Sequence, residues 1–152
     1  MPNDLTPLHI YVLLHLKRAK VDYAKMMAKM TGVDLEKINS CIRDLIELGL
    51  VERDSGSAIK RSKAKFKKAF EVRKHHTYYR LTKEGERFVR RIDDDWLKEF
   101  FDKTVGKGAF EKIMNSNHVS RNDELFERFL SHGLIRPSGK KTKLLKLILS
   151  FK

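Results

Sequence analysis

Residues 58 to 74 read AIKRSKAKFKKAFEVRK, eight Lys/Arg with a single acid. Eight cations against one acid in seventeen residues suit a solvated or ligand-facing segment better than a core. The run is expected to project from the body between the elements on either side. The flanks suit that arrangement. Leu50, Val51, Glu52 and Arg53 are β-prone and lead into the turn-like DSGS of residues 54 to 57, while His76 to Leu81 supplies Tyr78, Tyr79 and Leu81 as an antiparallel partner. Two arms of about ten residues, rising ~3.3 Å each, would project some ~30 Å from the body. Phe66, Ala69, Phe70 and Arg73 would also line one side of a helical turn or two, so the interior of the run reads equally as ribbon or helix.

Before the run, the chain has helical periodicity. Thr6 and Pro7 open a first segment in which Leu8, Ile10, Tyr11, Val12, Leu13, Leu14 and Leu16 leave little polar surface before Lys17, Arg18 and Lys20. Asp22 is placed to cap a short second helix through Met26, Met27 and Met30, which Thr31 and Gly32 stop. Asp34 is placed to cap a third, in which Leu35, Ile38, Cys41, Ile42, Leu45, Ile46 and Leu48 recur at threes and fours until Gly49. After the run, Thr82 caps a helix whose apolar series Phe88, Val89, Ile92, Trp96 and Phe100 continues at helical spacing to about Lys103, a length of ~30 Å, with the acids 93 to 95 as a point where it could break. Short helices follow around Phe110 to Met114, around Leu125 to Leu130 behind Ser120 and Asp123, and over Leu144 to Phe151. HGLIR at 132 to 136 echoes LGLVER at 48 to 53, and reads as two helix exits of similar chemistry. The fold class is mainly α with a small β-hairpin, an α+β chain.

Charge is concentrated. The net value is +13, yet residues 1 to 54 balance eight Lys/Arg against eight Asp/Glu, whereas residues 55 to 91 hold thirteen against three. A local excess of that kind makes a field that draws polyanions. Catalytic signatures are missing: there is no glycine-rich phosphate loop, no GxSxG turn and no HExxH pair, so an enzyme is not expected. No metal site or cofactor is expected either. Adjacent His75 and His76 point to opposite faces of a strand, His9 and His15 lie on different sides of a helix, and the one cysteine, Cys41, falls in an apolar series where a buried thiol fits best. No apolar run long enough to span a bilayer and no cleavable leader are seen, so a cytoplasmic protein without a membrane partner is expected.

The helix-turn-helix order of residues 22 to 48, the LGLVER exit and YRLTKEGERF at 79 to 88 resemble the winged helix-turn-helix proteins, especially the MarR-like and ArsR-like regulators. The chain is also similar to an uncharacterised archaeal winged-helix family over residues 5 to about 92. The resemblance implies a winged domain over 5 to 92, its wing at about 50 to 81, and DNA binding in transcriptional regulation; it does not reach residues 93 to 152, which read from their own periodicity as a helical extension and a candidate dimerisation region. It aligns positions 37, 39 and 40 with those that relatives use at the groove, although many of them carry an arginine where this chain has Ser40.

The residues agree with that outline. Burying Ile38, Cys41, Ile42 and Leu45 turns Lys37, Asn39, Ser40 and Arg43 outward on a recognition helix of about 35 to 48, and Asn suits adenine as Arg suits guanine. Glu36, Asp44 and Glu47 leave this helix without net positive charge, so affinity must come from the wing at 58 to 76. There Lys60, Arg61, Lys63, Lys65, Lys67, Lys68, Arg73 and Lys74 are the candidate phosphate contacts, and six of them would give a salt slope of about −5. Double-stranded DNA is the expected partner, with RNA possible, and Phe88, Ile92, Trp96 and Phe100 are the expected homodimer interface. The alternatives are an RNA- or ribosome-binding adaptor, or a protein-interaction module whose wing grips an acidic partner.

Overall fold

Thr6 starts the first helix twice over. Its hydroxyl accepts the His9 amide at 3.4 Å, and its own amide donates to His9 Nδ1 at 2.9 Å, so a histidine closes the box that a glutamate usually closes. The computed structural model describes residues 5–55 and 76–151. Helix α1, Pro7–Ala19, then runs through the centre with every residue from Ile10 to Leu16 buried. A helix apolar on all sides must be covered on all sides, and α1 packs against helices from both ends of the chain. It ends at Lys20, the one non-glycine residue with positive φ among those described.

Asp22–Tyr23 then forms a two-residue strand, β1, ahead of α2, Ala24–Thr31. Asp22 is therefore not the helix cap expected from its position; Tyr23 takes that place without a side-chain bond. Gly32 at φ 74 stops α2, and α3 spans Leu35–Glu47. Asp34 stands before α3 but its side chain makes no capping bond, and its carbonyl takes the Lys37 and Ile38 amides instead. Gly49 at φ 77 turns the chain into β2, Val51–Arg53, which pairs antiparallel with β3, Tyr78–Leu81. Strand β1 pairs with the other edge of β3, so the sheet order is β1-β3-β2.

Thr82 caps α4, Lys83–Arg90, accepting the Gly85 amide at 3.0 Å and donating to the Gly49 carbonyl at 2.6 Å. The apolar series that follows is split between two helices. Asp93 accepts the Trp96 amide at 2.8 Å and starts α5, Asp94–Thr104, so the acids form a helix start rather than the middle of one long helix. Helices α6, Ala109–Asn115, and α7, Phe126–Ser131, lead to α8, Lys143–Phe151. The turn before α7 is made by Asp123, whose carboxylate accepts the Leu125 amide at 2.9 Å and whose carbonyl accepts the Phe126 amide at 3.1 Å. Buried Leu144, Leu145 and Ile148 seat α8, which packs on α1 and α2, and Phe151 stacks on Tyr11 at 6.1 Å. The described chain is thus mainly helical with one small antiparallel sheet.

Candidate nucleic-acid interface

Four residues of α3, Ile38, Cys41, Ile42 and Leu45, are buried, and this fixes what the helix shows outside. Lys37, Ser40 and Arg43 are exposed, whereas Asn39 is half-buried. Asn39 lines a hollow with Tyr23, Lys25, Leu35, His76 and Tyr79, so the outer side of α3 opens directly onto the root of the β2–β3 ribbon. There His76 stacks on Tyr23 with ring centres 4.1 Å apart, and Tyr78 meets the same ring edge-on at 5.2 Å. These stacked rings tie β1 to the returning arm of the ribbon.

The acids near this face are largely engaged. Arg80 donates from Nε to Glu52 at 2.9 Å and reaches Asp54 at 3.3 Å, and the Asp54 side chain is fully buried. Asp44 of α3 is bound by His9 Nε2 at 2.9 Å. Because the Thr6 amide donates to Nδ1, the His9 proton sits on Nε2 and points at Asp44. Glu36 and Glu47 remain exposed on α3.

A second histidine works in the same way. His15 Nε2 lies 2.7 Å from Asp22, whose other oxygen accepts the Tyr23 amide at 2.8 Å, and His15 Nδ1 lies 2.9 Å from the Tyr11 hydroxyl. Burial and the charge of Asp22 push the Tyr11 phenol well above its ordinary pKa, so it stays protonated and donates to Nδ1. The sequence reading put these two histidines on different sides of α1 and missed both aspartate partners. For His15–Asp22 the spacing of seven offered a weak signal; for His9–Asp44 there was none. The Cys41 thiol is buried, and burial, then the charge of Asp44, push it up to about 11.

The wing candidates Lys60, Arg61, Lys63, Lys65, Lys67, Lys68, Arg73 and Lys74 lie outside the described residues, as do Phe66, Phe70 and His75. Of the expected dimer contacts, Phe88 and Ile92 are buried in the chain's own core, while Trp96 and Phe100 are half-buried and stack on each other at 5.3 Å. No group of three or more His, Cys, Asp or Glu side chains is placed to hold a metal ion among the described residues, and no described helix is long and apolar enough to cross a membrane.

Residues 4–92 match a family described as "Uncharacterized protein conserved in archaea (DUF2250)". No curated protein and no solved structure matches the chain.

Proposed function

Because the chain belongs to this archaeal family, whose own role is uncharacterised, we propose from its residues that it is a winged helix-turn-helix protein that binds double-stranded DNA and regulates transcription. One observation carries the reading. On α3, Asn39 lines a hollow at the root of the β2–β3 ribbon, Lys37, Ser40 and Arg43 are exposed on the same helix, and the sequence between those two strands holds eight cations and one acid at 58 to 74. The helices α1 to α3 and the β1-β3-β2 sheet support it as an arrangement that offers one helix and one ribbon to a duplex together.

In this reading the ribbon supplies affinity through phosphates and α3 supplies a modest preference for bases. Glu36 and Glu47, both exposed, weaken any purely electrostatic pull from α3 and let Asn39 and Arg43 contribute only where their hydrogen bonds fit. Selection from a random duplex pool is expected to enrich a short motif. Removing residues 58 to 74 is expected to cut affinity steeply and to flatten the slope of log K against log salt by about 5. An unchanged slope rejects the ribbon's role, and tighter binding to structured RNA than to duplex DNA at 0.15 M salt rejects DNA as the partner.

The proposal extends to a two-fold dimer that would match a palindromic site. Since Phe88 and Ile92 belong to the core, Trp96 and Phe100 are what the apolar edge leaves for a second copy. Light scattering is expected to give the dimer mass at micromolar concentration, and a monomer rejects this part.

A further inference from the structure

The echo between LGLVER and HGLIR extends into three dimensions. At the end of α3 the Leu48 amide donates to Asp44, Gly49 to Ile46 and Leu50 to Leu45, at 3.0, 3.0 and 2.9 Å. At the end of α7, His132 donates to Arg128, Gly133 to Leu130 and Leu134 to Phe129, at 3.2, 3.0 and 3.0 Å. Gly49 has φ 77 and Gly133 has φ 71. Val51 pairs with Leu81, and Ile135 pairs with Lys141. The Thr82 amide returns to Leu50 and its hydroxyl to Gly49, just as the Thr142 amide returns to Leu134 and its hydroxyl to Gly133. Thr82 then caps through Gly85, and Thr142 through Leu145.

In both places the returning arm also has a third neighbour on its far edge: β1 beside Tyr78 and Tyr79, and His118 beside Lys140. That neighbour comes from between α1 and α2 in one case and from between α6 and α7 in the other, so the match lies in the junction and not in the whole chain order. The second junction differs from the first mainly in length. Seven residues separate Leu134 from Thr142, against thirty-one between Leu50 and Thr82.

The charges differ in a way that points to a ligand. In the first ribbon the cross-strand pair Glu52↔Arg80 is an ion pair at 2.9 Å. The corresponding residues of the second are Arg136 and Lys140, both cationic and exposed, joined through the Arg136 amide and the Lys140 carbonyl at 2.8 Å. Like charges held opposite each other on a ribbon are destabilising. Lys141 and Lys143 follow, residues 131 to 152 hold six Lys/Arg and no Asp or Glu, and none of these four cations joins an ion pair among the described residues. An anion between the arms relieves that repulsion.

We propose that residues 134 to 142 are a second, short basic wing, and that Arg136, Lys140, Lys141 and Lys143 bind backbone phosphates of duplex DNA. The proposal rests on the DNA-binding reading and adds to it a second contact point, outside the part of the chain that the family covers.

Two variants of the full chain test it, with a fluorescent duplex of random sequence titrated across a series of salt concentrations. Arg136→Glu restores the polarity of the Glu52–Arg80 pair. It is expected to keep or raise the melting temperature while weakening binding about tenfold at 0.1 M salt and reducing the salt slope by about 1. A lowered melting temperature with unchanged binding makes Arg136 structural and overturns the proposal. Arg136→Gln with Lys140→Gln is expected to reduce the slope by about 2. If the unaltered chain binds duplex and this double variant binds with the same affinity and slope, the second wing is wrong and the first reading stands. If the unaltered chain binds no duplex at all, the DNA-binding reading itself fails.

Discussion

His15 holds two groups at once, taking the Tyr11 hydroxyl at 2.9 Å and Asp22 at 2.7 Å. Replacing it with alanine leaves a half-buried carboxylate with the Tyr23 amide as its remaining partner in this cluster, and a buried phenol without its acceptor. The expected cost is about 2 kcal/mol, readable as a lower urea midpoint with an unchanged denaturant slope. Cys41 gives a pH-dependent prediction. Its thiol is held up to about 11 in the folded chain, so the unfolded chain loses this proton at lower pH than the native one. Stability should therefore be full below about pH 8 and fall as pH rises toward 11, and Cys41→Ala should remove that share of the loss. Native protein at pH 8 should resist a thiol reagent that labels it readily in urea; rapid native labelling would show an accessible thiolate.

Helix α4 depends on one missing atom. A β-carbon on Gly85 would stand 2.0 Å from the Leu50 carbonyl oxygen, although alanine is intrinsically the better helix former. The contact outweighs the propensity, because the gain is at most about 1 kcal/mol while forcing α4 off the β2 entrance costs several. Gly85→Ala is expected to destabilise by roughly 3 kcal/mol, and a stabilised variant would show that α4 can move freely. Elements with strong local signals were legible: α1 from Thr6 and Pro7, α4 from Thr82, and the β2–β3 pair from its tyrosines. Strand β1 was not, since two residues, Asp22 and Tyr23, carry no period and are extended only because Tyr78 and Tyr79 offer an open edge. The outer side of α3 was legible from its buried side, but the half-burial of Asn39 arises from Tyr79 and His76, more than thirty positions on.

For the molecule as a whole, α8 decides where the core ends. Leu144, Leu145 and Ile148 are buried, and α8 covers α1, the helix on which everything else is assembled. Ending the chain at residue 142 should cost roughly 5 kcal/mol or more, at about 2 kcal/mol for each buried aliphatic side chain. A denaturation midpoint equal to that of the full chain would show that the residues before 143 close their own core and that α8 is an appendage. What the sequence determined by itself was everything carried by neighbours within about four positions: helix periods, threonine caps, glycine stops and the concentration of positive charge. The tertiary structure alone decided which distant groups meet. It paired His9 with Asp44, joined α8 to α1, and returned the Thr82 amide to the Leu50 carbonyl. The reason is physical: short-range preferences are written in adjacent side chains, whereas the choice of a remote partner follows from closing a single core, which no local window contains.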